Sequence, residues 1–460
     1  MKIVRFVISL VITFLFISVL NNRLVNLPLV KNWVKGSSVE SLPALGRFMN
    51  PFDGFWQNAE GSTPNLDSYI DHDALSGPVE VVYDNRLVPH IFGENMKDVV
   101  FVQAYVTAQQ RLWQMEFQTH AAAGRLAEII GDKALNYDKR QRRKGLAFAA
   151  ENSLRIVQRD LETKELIAAY TEGVNAYINS LSSRNYPIEY KLLGYEPEAW
   201  SMYKTILLLK YMADDLTGNE SDIELTNTLK LLGEEDFNLL FPDYPKGQDP
   251  VIPADTPLDF EPIRVNKPKS LSDTKQTGDA SFIKHDLYPK KSPLLGSNNW
   301  AMSGTKTANK KTILCNDPHL RLSLPSLWFE VQLVTPNDNV YGVSLPGAPG
   351  VIIGFNKHIA WGVTNAGRDV KDWYTVKFKN TNKNEYWLDN KWEKTTKRVE
   401  EIKVRDGISV LDTVVYTKWG PVVYTDDKEA KYNMALRWKA HDASNDALTF
   451  VKLNKAKNYK

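Results

Sequence analysis

Leu294-Leu295-Gly296-Ser297-Asn298-Asn299-Trp300-Ala301-Met302-Ser303-Gly304 is the stretch on which the reading of this chain turns. Ser297 stands where a polar, Pro- and Lys-rich segment gives way to a short apolar run with strand character, so the peptide bond before it is expected to be exposed. A chain cut there begins with serine. A serine hydroxyl is a weak nucleophile until a base removes its proton, and no Gly-x-Ser-x-Gly elbow surrounds any serine here. A free α-amine has a reference pKa of about 7.7–8.0, so near neutrality it can be that base, directly or through one water. Gly-Ser pairs are mostly loops, and the stretch by itself leaves an ordinary loop open.

Upstream, residues 243–296 are rich in Pro, Lys, Asp and Ser with little periodicity, and read as a linker. Before it, residues 76–242 read as largely helical. The strand signal Val79-Glu80-Val81-Val82-Tyr83-Asp84 is followed by Pro89-His90-Ile91 and a helix N-capped at Asn95, which carries Val99, Val102, Val106, Trp113 and Phe117, and Gly124 and Gly131 punctuate the helical pattern that continues to Glu128. His90 and His120 lack a paired ligand spacing and read as core or surface histidines. Lys139-Arg140-Gln141-Arg142-Arg143-Lys144 is a dense basic run without interleaved aromatics, read as a solvated face and not as a nucleic-acid site. Downstream, residues 299–302, 312–315, 328–334, 340–344 and 351–353 are β-rich runs between Gly, Pro and Asn turns, and residues 447–457 read as helix.

Composition sets outer limits. The 460 residues are 43% hydrophobic with a net charge of +2, an ordinary globular balance that gives no reason to expect an acidic polymer as partner. The single cysteine, Cys315, excludes an internal disulfide, and its apolar neighbours make it a buried structural thiol. At the N-terminus Lys2 and Arg5 precede an apolar run over residues 6–20, the pattern of an export signal. The run is shorter than the roughly 20 residues of a spanning helix, and no small-x-small cleavage site follows. Residues 1–24 are therefore a signal peptide or an uncleaved signal anchor, and residues 25–75 a lead-in.

With Asn316-Asp317-Pro318-His319-Leu320, the stretch Gly296-Ser297-Asn298-Asn299-Trp300 resembles the junction and following turn of the penicillin acylase family of N-terminal nucleophile hydrolases. The resemblance covers most of residues 40–460. It implies an α+β fold, two stacked antiparallel sheets flanked by helices in an αββα sandwich, with a mostly helical α-chain region. It also implies self-cleavage between Gly296 and Ser297, residues 243–296 as a released spacer, and a β chain from residue 297 that associates with the α chain. The chain is similar to the N-terminal portion of such a protein, ending inside the β chain, where the family's second oxyanion donor still lies ahead.

Carried over residue by residue, the resemblance makes Ser297 the nucleophile, places Asn365 in Trp361-Gly362-Val363-Thr364-Asn365 as oxyanion donor through its backbone N–H, and puts His319 near the nucleophile. It lines an apolar acyl pocket with Met212, Leu216, Leu320, Ile353 and Val363. It gives calcium carboxylates at Asp222, Asp369 and Asp372 with a carbonyl from Lys371, and no organic cofactor. Asp222 stands where the best-known members carry glutamate. The expected activity is hydrolysis of a small-molecule linear amide with a hydrophobic acyl group by a protein exported to the periplasm, free or held by its N-terminal segment at the inner membrane. A membrane-anchored, non-catalytic binding protein on the same scaffold is the alternative.

Overall fold

The computed structural model describes residues 2–20, 45–60, 69–217, 221–242, 247, 296–320, 322–426 and 432–458. Most of the expected spacer, 243–296, lies outside the described residues. The class is α+β, as expected from the sequence.

Helix α1 covers Lys2–Leu20. Among the described residues no helix is long and apolar enough to cross a membrane, whereas the sequence reading keeps an uncleaved signal anchor open beside a signal peptide. Strands β1 (Val79–Tyr83) and β2 (Pro89–Gly93) form a hairpin that leads into α2 (Met96–Ala123). Asn95 caps α2: its side chain accepts from the Asp98 N–H at 2.9 Å, and Asp98 in turn accepts from Ser76 and Gly77, tying the lead-in to the helix. Val99, Val102 and Val106 are buried, but α2 does not reach Glu128. Gly124 adopts φ 65°, and its N–H and that of Arg125 return to Ala121 and His120, closing the helix.

The longer helices that follow are α3 (Leu135–Lys144), α4 (Leu146–Val157), α5 (Leu161–Ser180), α6 (Met202–Thr217) and α7 (Asp222–Leu240). The remaining chain is mostly strand: β3 (Gly296–Met302), β4 (Ile313–His319), β5 (Phe329–Val334), β6 (Asn339–Ser344), β7 (Ile353–Asn356), β8 (Ala360–Trp361) and β9 (Lys371–Thr375). Next come β10 (Glu385–Leu388), β11 (Lys391–Lys394), β12 (Thr396–Ile402), β13 (Val410–Thr417), β14 (Gly420–Asp426), β15 (Tyr432–Trp438) and helix α8 (Ala447–Lys455). The strand expected over 351–353 begins only at Ile353, because Val351 and Ile352 are turned into the core.

Two larger sheets result, ordered β1-β2-β5-β6-β7-β8 and β12-β13-β14-β15-β9. Strands 79–93 precede the spacer and join strands that follow it, through the parallel pairing of β2 with β5. Each sheet has its own core. Ile91, Val331, Leu333 and Val340 of the first pack on Val99, Phe101 and Met115 of α2 and on Tyr170 and Val174 of α5. Val423, Met434, Leu436 and Trp438 of the second pack on Leu146 and Ala150 of α4, Ile167 of α5 and Ile206 and Leu207 of α6. At about 1.5–3 kcal/mol per fully buried large side chain, these layers dominate the stability.

The basic run is a correction. On α3, Arg142 Nη1 meets Glu400 at 2.8 Å, Arg143 forks onto Asp412 at 2.8 and 2.7 Å, and Lys144 Nζ meets Asp214 at 2.6 Å. Arg398 forks onto Glu151 at 2.7 Å through both nitrogens and also touches Glu400. The run is a charged seam between helices before the spacer and the sheet after it, because β12 and β13 present acids where α3 presents bases.

Candidate active site

Ser297 lies second in β3, whose partner is β4. The ladder pairs Gly296 with His319, Ser297 with Pro318, Asn298 with Asp317 and Asn299 with Asn316. Facing residues in an antiparallel ladder share a side, and sides alternate along each strand. Ser297 therefore shares its side with Asn316, while His319 and Asp317 occupy the other. His319 Nε2 is 2.6 Å from Asp317 Oδ2 in an exposed pair, opposite the residue before the expected cut.

The Ser297 hydroxyl donates to the carbonyl oxygen of Gly296 at 2.7 Å. It sits on the carbonyl of the bond expected to break. The ribbon around it is open: Trp300 is 50% exposed, and Cys315, expected to be buried, is only half-buried beside an opening it shares with Asn298, Trp300, Asn316 and Asp317. Cys315 stays open because β3 and β4 pair only with each other among the described residues.

The segment Trp361-Gly362-Val363-Thr364-Asn365 reaches the ribbon from the end of β8. Asn316 Oδ1 accepts from the Val363 N–H at 3.0 Å, and its Nδ2 donates to Val363 O at 2.9 Å and to Asn298 O at 3.2 Å. Asn365 Nδ2 donates to Leu216 O near the end of α6 at 2.7 Å, while its Oδ1 accepts from Gly367 N–H at 2.9 Å. Asn316 thus bonds the backbone of Asn298, next to Ser297, to that of Val363, and two residues further on Asn365 bonds Leu216.

Of the expected pocket residues, Met212 and Ile353 pack in one cluster with Leu345, Ala348 and Ile352. Leu216, which accepts from Asn365, is 39% exposed and Val363, bonded to Asn316, is 40% exposed, and Leu320 directly follows β4. The expected calcium residues fall on neighbouring elements, since the α7 helix that begins at Asp222 packs against β9, which holds Lys371 and Asp372. Burial, then the negative charge of Asp369, raises the Asp372 carboxyl above its usual value, against the pull of Arg437. The carboxylates of Asp369, Asp372 and Asp222 are oxygen donors of the kind a hard cation takes. Lys371 Nζ is 4.7 Å from the centroid of the Trp438 ring and 3.7 Å from Asp214, so its ammonium is directed away from the carboxylates of Asp369 and Asp372 by those partners.

Among the described residues one set of three His, Cys, Asp or Glu groups has ligand atoms within 4.8 Å of one another, His120, Glu128 and Glu198. Arg125 forks onto both carboxylates at 2.6–3.1 Å, so its guanidinium occupies the place of a cation. His120 is a core histidine, as read from the sequence. The sequence reading missed the Asn316 and Asn365 side-chain links, for which the glycine next to Trp361 is the available signal.

The chain belongs to the Penicillin amidase family, whose model matches residues 78–460. It is similar to acyl-homoserine lactone acylase QuiP of Pseudomonas aeruginosa, 28% identical over 93% of this chain and 48% of that protein. It is also similar to penicillin acylase 2 proenzyme of Pseudomonas sp. strain SE83, 29% identical over 85% and 49% of the two, and to penicillin G acylase of Escherichia coli, 23% identical over 84% and 50%. The chain spans about half the length of these relatives. A solved thermostable penicillin G acylase from Alcaligenes faecalis aligns with 39% of this chain at 22% identity and a TM-score of 0.33.

Proposed function

We propose that this protein is an exported, self-processing amidohydrolase that cleaves a small linear carboxamide with a hydrophobic acyl group. The observation that carries the reading is the Ser297 hydroxyl resting on the Gly296 carbonyl, in a ribbon open to solvent. Attack of Ser297 Oγ on that carbonyl carbon shifts the acyl group from nitrogen to oxygen. Water then releases Gly296 as a carboxylate and Ser297 as a free amine. In turnover that amine takes the hydroxyl proton, Oγ attacks the substrate carbonyl, and the Asn365 N–H steadies the oxyanion. The proton passes to the leaving amine, and water frees the acid.

His319, opposite Gly296 on the ladder, serves the processing step, with Asp317 holding its ring. His319→Ala that splits and turns over normally removes it from the scheme. Met212, Leu216, Leu320, Ile353 and Val363 select an apolar acyl group, and such a pocket separates neighbouring chain lengths by only about 1–3 kcal/mol per methylene. Penicillins, cephalosporins and acyl-homoserine lactones are the candidate substrates, by analogy with the named relatives. Asp222, Asp369, Asp372 and the Lys371 carbonyl would hold a structural calcium ion that joins the segments on either side of the spacer. Elemental analysis of the purified protein checks it, and an ion-free protein of full activity refutes it. After cleavage the two chains stay associated through the shared sheet and the charged seam.

Intact-mass and N-terminal sequencing of the wild type beside Ser297→Ala decides the central claim. A new chain starting at Ser297 in the wild type alone is the expected result, and an uncut chain in both refutes it.

A further inference from the structure

We infer that Asn316 is a positioning residue that holds the oxyanion-donor segment in register with Ser297, an inference that rests on the reading of Ser297 as nucleophile. Its carboxamide is the point where three backbones meet. Oδ1 accepts from Val363 N–H at 3.0 Å, and Nδ2 donates to Val363 O at 2.9 Å and to Asn298 O at 3.2 Å. Asn298 follows Ser297, Val363 lies two residues before Asn365, and Asn316 shares the ribbon face of Ser297. One planar group thereby links the backbone beside the nucleophile to the backbone that presents the donor.

Nothing else in the segment can do this by burial. Residues 363–369 are exposed and carry no regular secondary structure, so hydrogen bonds must define their course. The task demands a group that donates and accepts at once along a peptide edge, which a carboxamide does and a carboxylate or an alkyl group does not. Gly362 adds an independent sign. A Cβ there would lie 2.7–2.9 Å from the Cβ, Cγ and Oδ1 of Asn316, so the chain approaches Asn316 as closely as only glycine permits. The Asn365 side chain pins the far end to Leu216 O at 2.7 Å. With the segment held at Val363 by Asn316 and at Asn365 only through its side chain, loss of the first hold frees the backbone that leads into the Asn365 amide.

The test compares the full chain with Asn316→Ala, Asn316→Asp and Gly362→Ala. Hydrogen exchange of the peptide over residues 361–367 needs no turnover: Asn316→Ala is expected to speed exchange at Val363 at least about tenfold with an unchanged melting temperature. In self-processed enzyme the same variant lowers kcat by roughly a hundredfold, with KM within about threefold, because the donor is misplaced and the acyl pocket is not. Asn316→Asp keeps one acceptor and loses both donors, so it does not rescue. Equal exchange at Val363 overturns the tether whatever the enzyme does, and a kcat within threefold of wild type overturns its catalytic consequence. A wild-type chain that never splits before Ser297 overturns the nucleophile reading, and exchange then judges the tether alone.

Discussion

The charged seam and the Ser297 ribbon are built by opposite rules. At the seam, Glu400 and Asp412 are about nine-tenths buried, with two guanidinium groups on Glu400 and a fork on Asp412. The ribbon has no deep core, and its strands are paired only with each other among the described residues. The seam joins segments on either side of a spacer and must persist if the spacer leaves. The ribbon is open to solvent, and its order rests on a few hydrogen bonds to Val363 and Asn298. Strength and access are placed in different parts of the molecule.

Substitutions can break this contrast. Glu400→Ala leaves Arg142 and Arg398 facing a partner site without its charge, and removing one member of a buried pair costs about 3–5 kcal/mol. A chemical-denaturation loss under 1 kcal/mol would show that the seam is solvated. His441 comes next. Burial first, with the neighbouring cations of Arg437 and Lys371, lowers its imidazole to about 4 from an ordinary 6.5, while its ring bonds Lys144 O at 2.7 Å. It is neutral in both states above pH 6.5. As pH falls toward 4 only the unfolded chain takes the proton, so stability drops by about 3 kcal/mol and levels off below. His441→Phe is expected to flatten that part of a stability–pH curve, and an identical curve denies it.

Smaller effects sharpen the other side. Asn95→Ala removes the cap of α2 and is expected to cost about 1 kcal/mol in urea titration. Trp300→Ser, at a half-exposed ribbon position, should change stability by less than about 0.5 kcal/mol. A loss comparable to that at the seam would mean that the ribbon is packed against something, and the contrast would fail.

The helices before the spacer and the first strands after it were legible because their signals are local: a capping asparagine, apolar spacing, and Gly, Pro and Asn turns. Asn95 and the strand over Val79–Tyr83 were placed within a residue. Helix α2 ran shorter than its pattern, since a glycine in the left-handed region stops a helix whatever follows. The basic run was misread because nothing within its own six residues announces acids on strands more than 250 positions away. His319 was placed near Ser297 by the resemblance, and the ladder sets it opposite Gly296, on the other face of the ribbon from Ser297.

By itself the sequence determined the class, the family resemblance and the identity of the serine at the junction, because each is written in contiguous residues. Only the tertiary structure decided that the basic run is a seam, that β2 joins the sheet built after residue 296, and that Asn316 links the strand of Ser297 to the backbone of Val363. Those facts depend on pairs of distant residues meeting. Which pairs meet is settled by burial of the whole chain and not by local propensity.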